Sequence, residues 1–121
     1  MIAEGDVVVA ELPQADGATK PRPVLLLRQL PGFGDFLTCG ISTQVHQAQP
    51  KFDLILQAGD KSFDSTGLKR TSVIRLGFLA SIPRNQMTRR LGQVTPGTLE
   101  TLQSHLASHL VKRHKAQPTN R

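Results

Sequence analysis

Short apolar runs that return about every 12 residues, each closed by turn-forming residues, restrict this chain to a small β architecture. The runs are Val7–Leu12, Val24–Leu27, Phe36–Ile41, Phe52–Leu56, Ser72–Leu76, Phe78–Ile82 and the stretch around Leu91–Val94. Between them lie Pro13-Gln14-Ala15-Asp16-Gly17 and Pro31-Gly32-Phe33-Gly34-Asp35, both turn compositions. The spacing predicts a mainly β sandwich or small barrel of about five to seven short antiparallel strands. Val7–Val9 and Val24–Leu27 are apolar without alternation, which predicts strands covered on both sides. In a small barrel one side would be the core, and the other a helix or a second subunit.

The pattern changes at Thr95. Thr95-Pro96 reads as an N-cap followed by proline at the first helical position. Leu99, Leu102, Leu106 and Leu110 then recur at spacings of three and four, one apolar stripe on a helix over about 96–111 that should pack on the barrel. The length of 121 residues fits one domain, read as 1–111, with 112–121 as a basic, disordered tail. No internal repeat and no long linker divides the chain.

Several classes are excluded. No apolar run approaches the roughly 18 residues of a membrane span, and Met1–Asp6 lacks the charged and apolar regions of a secretion signal. The single cysteine, Cys39, permits no intramolecular disulfide and fits a reducing cytoplasm. It lies in the apolar stretch Phe36–Ile41 and reads as a small buried hydrophobe. Charge is divided unevenly. Residues 1–68 hold five basic and eight acidic groups, a net −3; residues 69–121 hold ten basic groups and Glu100 alone, a net +9. Such a basic half suits a polyanion, either nucleic acid or an acidic protein segment.

Arg22 is the leading candidate for chemistry. Pro21 and Pro23 flank it, fixing φ on both sides and holding Lys20 and Arg22 extended. An arginine held where a loop enters a strand can present its fork to a phosphate with little entropy loss. His105 and His109 have metal-ligand spacing on a helix, but no carboxylate or cysteine at matching spacing completes a site, so no metal or other cofactor is expected. Aromatic stacking capacity is thin: there is no Trp or Tyr, and of the five Phe only Phe33 and Phe36 adjoin a surface loop, Phe36 reading as core. No P-loop, G-x-G-x-x-G, H-E-x-x-H or G-x-S-x-G string is present.

Taken in order, Gly5-Asp6-Val7-Val8-Val9, Lys20-Pro21-Arg22-Pro23-Val24-Leu25, Ile41-Ser42-Thr43-Gln44, Gly67-Leu68-Lys69-Arg70 and Arg89-Arg90-Leu91-Gly92 resemble the PemK/MazF family, small toxin endoribonucleases of bacterial toxin–antitoxin pairs. The resemblance spans about residues 4–110 and lies in the order and spacing of these strings. It implies an SH3-like barrel with a C-terminal helix. It places Arg22 at the family's catalytic arginine and Ser42, with Thr43 beside it, at its catalytic hydroxyl. Arg75 matches an arginine that some PemK-type members set near the scissile phosphate. Those members carry an acid two residues later, where this chain has Gly77. Lys20, Gln44, His46, Lys69, Arg70 and Arg75 are the expected RNA contacts, and Gly67 the expected positive-φ turn.

What the resemblance implies is metal-independent cleavage of single-stranded RNA, by attack of a ribose 2′-OH to give 2′,3′-cyclic phosphate and 5′-OH ends. It also implies a homodimer and inhibition by an acidic antitoxin. Two other readings stay open: a non-catalytic protein on the same scaffold that acts by contact with a protein target, as the related CcdB toxins do, and an RNA-binding SH3-like module.

Overall fold

In the computed structural model, residues 2–111 are described; the tail expected at 112–121 lies outside the described residues. Six strands form one antiparallel sheet: β1 (Asp6–Pro13), β2 (Thr19–Gln29), β3 (Phe36–Ser42), β4 (Leu54–Leu56), β5 (Ser72–Ile82) and β6 (Met87–Gln93). Their spatial order is β4-β5-β3-β2-β1-β6, and the sheet curls into a half-barrel. A short α1 (Lys61–Asp64) precedes β5, and α2 (Pro96–Leu110) is the last element of the described chain.

The unbroken apolar runs are explained by burial on two sides. Val7, Leu25, Leu27, Cys39, Ile41, Ile74 and Leu76 pack in a core with Leu102 and Leu106 of α2. Their strand neighbours Val8, Ala10, Val24, Leu26, Phe36 and Ile82 form a second core on the other face of the sheet. Successive residues of a strand point to opposite faces, so Val7-Val8 and Val24–Leu27 feed both cores alternately. The helix α2 covers the first of these two faces. Thr95 caps α2, its Oγ1 accepting from the Thr98 N–H at 3.2 Å with Pro96 at the first turn, as the sequence indicates. Burying Leu102 and Leu106 contributes about 1.5–3 kcal/mol each. Leu110 departs from the buried stripe and is 69% exposed, lining a shallow hollow with Leu27, Leu37 and Leu106.

Two strands differ from expectation. The run Phe52–Leu56 yields only Leu54–Leu56, because Asp53 turns inward as a buried hydrogen-bond acceptor. Ser72–Leu76 and Phe78–Ile82 are one strand: Cys39 pairs with Leu79 and Gly40 with Arg75, so Leu76, Gly77 and Phe78 bulge out of the ladder without partners on β3.

The outer edge of β6 meets the segment after α1. The Gln93 N–H donates to Ser65 O at 2.9 Å, and Ser65 Oγ donates to Gln93 O at 2.8 Å. Gly67 has φ +75, the left-handed turn expected there. A Cβ on Gly67 would collide with the Leu91 carbonyl, and one on Gly92 with the Ser65–Thr66 backbone. These two glycines let the chain close on its own sheet edge.

Candidate functional site

Arg22 lies across β1 from Ala10, and Val24 lies across β3 from Gly40. These two registers bring the proline-flanked start of β2 to the end of β3, where Ser42 and Thr43 sit. The result is an open cleft of about 500 Å³, lined on one side by Arg22 and Gln14 and on the other by Ser42, Thr43 and Gln44. Its floor is Val24, Thr38 and Ala80, so it rests on the second core, on the sheet face opposite α2.

Arg22 is exposed, and its Nη2 donates to Gln14 Oε1 at a loose 3.4 Å. No ion pair involves it among the described residues. A cation with so weak a protein partner is available to an anion. Ser42 Oγ accepts from the Gln44 backbone N–H at 3.0 Å, which fixes the oxygen and leaves its hydrogen to donate into the cleft. Thr38 is spent internally, donating to Ala80 O at 3.0 Å. Among the described residues no carboxylate and no histidine lines the cleft.

A second hollow of about 260 Å³ adjoins it. Pro23, Ile41, Ser42 and Thr43 are shared by both, and Lys69 and Arg70 close the far side. Lys20 is exposed two residues before Arg22 on the same face of β2, opposite Leu12, and extends the positive charge outward. Arg22, Ser42, Thr43, Gln44, Lys69, Arg70 and Lys20 thus lie along one path.

His46 and Arg75 line neither hollow. His46 is exposed on the 3₁₀ turn Val45–Gln47. Arg75 is held from three sides. Its Nε lies 3.1 Å from Asp53 Oδ2, its Nη1 donates to Gln47 Oε1 at 3.0 Å, and its guanidinium carbon stands 4.3 Å from the Phe78 ring centroid. The Nε–H makes no aligned hydrogen bond, so its contact with Asp53 is Coulombic rather than directional. Asp53 also accepts from the Leu76 N–H at 2.9 Å and the Gln49 N–H at 2.9 Å. It therefore pins both the bulge in β5 and the arginine beside it.

Phe78 lines the cleft and is 56% exposed. Sequence reading assigns it to an ordinary strand; the signal for something else was Gly77, since glycine inside a strand pattern marks a bulge. Gln14 and Asp53 gave no such signal. Phe36 is buried, as expected, and Phe33 stands fully exposed on its loop. Cys39 is fully buried; burial pushes its thiol well above the usual range, with a smaller push from the Asp53 charge, so it is chemically inert in the fold. His105 engages Phe52 O through Nδ1 at 2.9 Å, and the His109 ring stands 5.0 Å from that of Phe52.

The fold and site together define a small curled β domain with an arginine and two hydroxyls meeting at the ends of β2 and β3. Residues 3–110 match the model of the PemK-like, MazF-like toxins of type II toxin–antitoxin systems, and the chain belongs to that family. Among solved structures it is similar to an endoribonuclease in complex with its cognate antitoxin from a mycobacterial species, at TM-score 0.69 and 16% identity over 95% of this chain and all of that one. It is similar also to the Mycobacterium tuberculosis toxin MazF-mt6, at TM-score 0.64 and 21% identity over 87% and 95% of the two chains. A third, an endoribonuclease from a mycobacterial species, gives TM-score 0.63 and 18% identity over 90% of each. No curated protein sequence matches.

Proposed function

We propose that this protein is a toxin-type endoribonuclease that cuts single-stranded RNA and is held in check by an antitoxin. The observation that carries this reading is the meeting of Arg22, Ser42 and Thr43 in one open cleft. The fold neighbours include endoribonucleases, one of them bound to its cognate antitoxin.

In this reading a ribose 2′-hydroxyl loses its proton to solvent as its oxygen bonds to the adjacent phosphorus, the bond from phosphorus to the 5′-oxygen breaks, and that oxygen takes up a proton from solvent. The products carry a 2′,3′-cyclic phosphate and a 5′-OH. Arg22 neutralises the charge that builds on the phosphorane, and the Ser42 or Thr43 hydroxyl donates to a phosphate oxygen. Arg22 stays charged and is no base. Catalysis is positioning plus electrostatics, which a few fixed side chains supply without a metal. Lys69, Arg70 and Lys20 guide the flanking phosphates, with Gln44 at the cleft wall, and the same cations receive an acidic antitoxin segment. The assembly is a homodimer working in the cytoplasm.

One observation favours a second reading, binding without cleavage: Gly77 stands where PemK-type members carry an acid, and Arg75 is tied to Asp53. Cleavage assays in EDTA with Arg22→Ala alongside separate the two. Fragments with 5′-OH ends from the wild type, lost in Arg22→Ala, support the nuclease. Intact RNA with folded wild-type protein supports the binder.

A further inference from the structure

We infer that Phe78 is the base-stacking surface of this cleft, receiving one nucleobase of a strand whose phosphate sits at Arg22. The inference rests on the nuclease reading and deepens it.

The chain has five phenylalanines and no other large aromatic residue. Phe36 and Phe63 are buried, Phe52 packs on His109, and Phe33 sits alone on a loop. Among the described residues, Phe78 is the one aromatic ring lining the cleft with Arg22, Ser42 and Thr43. More than half of its surface faces solvent, and its neighbour Leu79 is also exposed, whereas Val73, Ile74, Leu76 and Ile82 of the same strand are buried.

The ring is also held in place. The bulge lifts Phe78 out of register with β3, and Leu76, two residues earlier, is anchored through its N–H to Asp53. Opposite lies Gly40, where any Cβ would stand 3.2 Å from Phe78 Cβ and 3.3 Å from Cδ2, so only glycine leaves the ring room at ordinary contact distance. The Arg75 guanidinium stacks on the ring and is itself fixed by Asp53 and Gln47. A pre-ordered aromatic surface binds a base at small entropy cost. Because every base has a π face, such a surface is tolerant of sequence. Asp53, Arg75 and Gly40 are positioning residues for Phe78.

The test uses full-length protein and uncleavable 2′-O-methyl RNA oligonucleotides carrying 2-aminopurine at successive positions. The protein has no Trp or Tyr to interfere with the fluorescence. Wild type should quench the probe most strongly at one position. Phe78→Ala should weaken binding about 5- to 150-fold, to a similar extent for each base, and abolish that local quenching. Phe78→Leu, which keeps the bulk without the π face, should also lose the quenching, whereas Arg22→Ala at saturating protein should keep it. Unchanged affinity and quenching in both Phe78 variants would overturn the inference while leaving the nuclease reading standing. So would unchanged binding accompanied by a changed oligomeric state in sedimentation, which would make Phe78 a contact between two copies. If wild type neither binds nor cuts RNA, the nuclease reading fails and the stacking role with it.

Discussion

Asp53→Ala should bring this protein close to unfolding. The Asp53 side chain is 1% exposed and that of its partner Arg75 15% exposed. Removing one member of a buried pair costs about 3–5 kcal/mol, mainly by stranding the other charge. Arg75 keeps Gln47, Phe78 and some solvent, so the lower end, about 3 kcal/mol, applies. The Leu76 N–H, buried and bonded at 2.9 Å, loses its acceptor, adding about 1–2 kcal/mol. The Gln49 N–H belongs to an exposed residue and finds water. The expected loss is about 4–5 kcal/mol, against a total of roughly 5–15 kcal/mol for a domain. With an m-value near 3 kcal/mol/M in guanidinium chloride, the midpoint should fall by about 1.5 M. Asp53→Asn keeps an acceptor for Leu76 and should lose about 2–3 kcal/mol. Adding Arg75→Met to it should restore much of that, since the stranded cation is gone. A loss below about 1 kcal/mol for Asp53→Ala would refute the reasoning, because it would mean that water or a shifted loop replaces the carboxylate.

Gly67→Ala should cost clearly more than Gly17→Ala. Both glycines have positive φ, worth about 1–2 kcal/mol to an alanine, but only Gly67 faces a backbone carbonyl; equal thermal shifts would remove the steric argument. The Cys39 thiol pKa is raised in the fold, so its contribution is fully present below the ordinary thiol range and lost as pH climbs above it. Wild type should therefore shed up to about 1.4 kcal/mol per pH unit more than Cys39→Ala in alkaline denaturation series, and parallel curves would contradict this. With no histidine or carboxylate lining the cleft among the described residues, the logarithm of the cleavage rate should rise steadily from about pH 5 to 8, and a bell-shaped profile would reveal an acid–base pair supplied from elsewhere.

The sequence carried the strands well where a run is apolar on both faces, as in Val7–Val9 and Val24–Leu27, because burial on two sides leaves its mark on consecutive residues. It carried α2 through one cap and one stripe. It missed the union of Ser72–Leu76 with Phe78–Ile82, because a bulge is a property of register with β3 and not of β5 alone. For the site, Arg22 was marked locally by its prolines, and Ser42 and Thr43 came only through the family resemblance. That they face one another depends on the pairing of Val24 with Gly40, which no local pattern encodes. Arg75, too, came through the resemblance, and its ion pair with Asp53, which comes well before it in the chain, is a tertiary contact that no local pattern announces.

The closure of Ser65–Gly67 onto β6 has a consequence for solubility. The last strand on one side of the sheet has its end hydrogen-bonded and carries exposed Arg89 and Arg90 where it is open. The last strand on the other side, β4, is three residues long. A neighbouring molecule searching for a ladder to extend finds no long, flat, uncharged edge on this sheet. The folded protein can therefore be concentrated without growing strand by strand into fibres, and aggregation in weakened variants should start from unfolded chains.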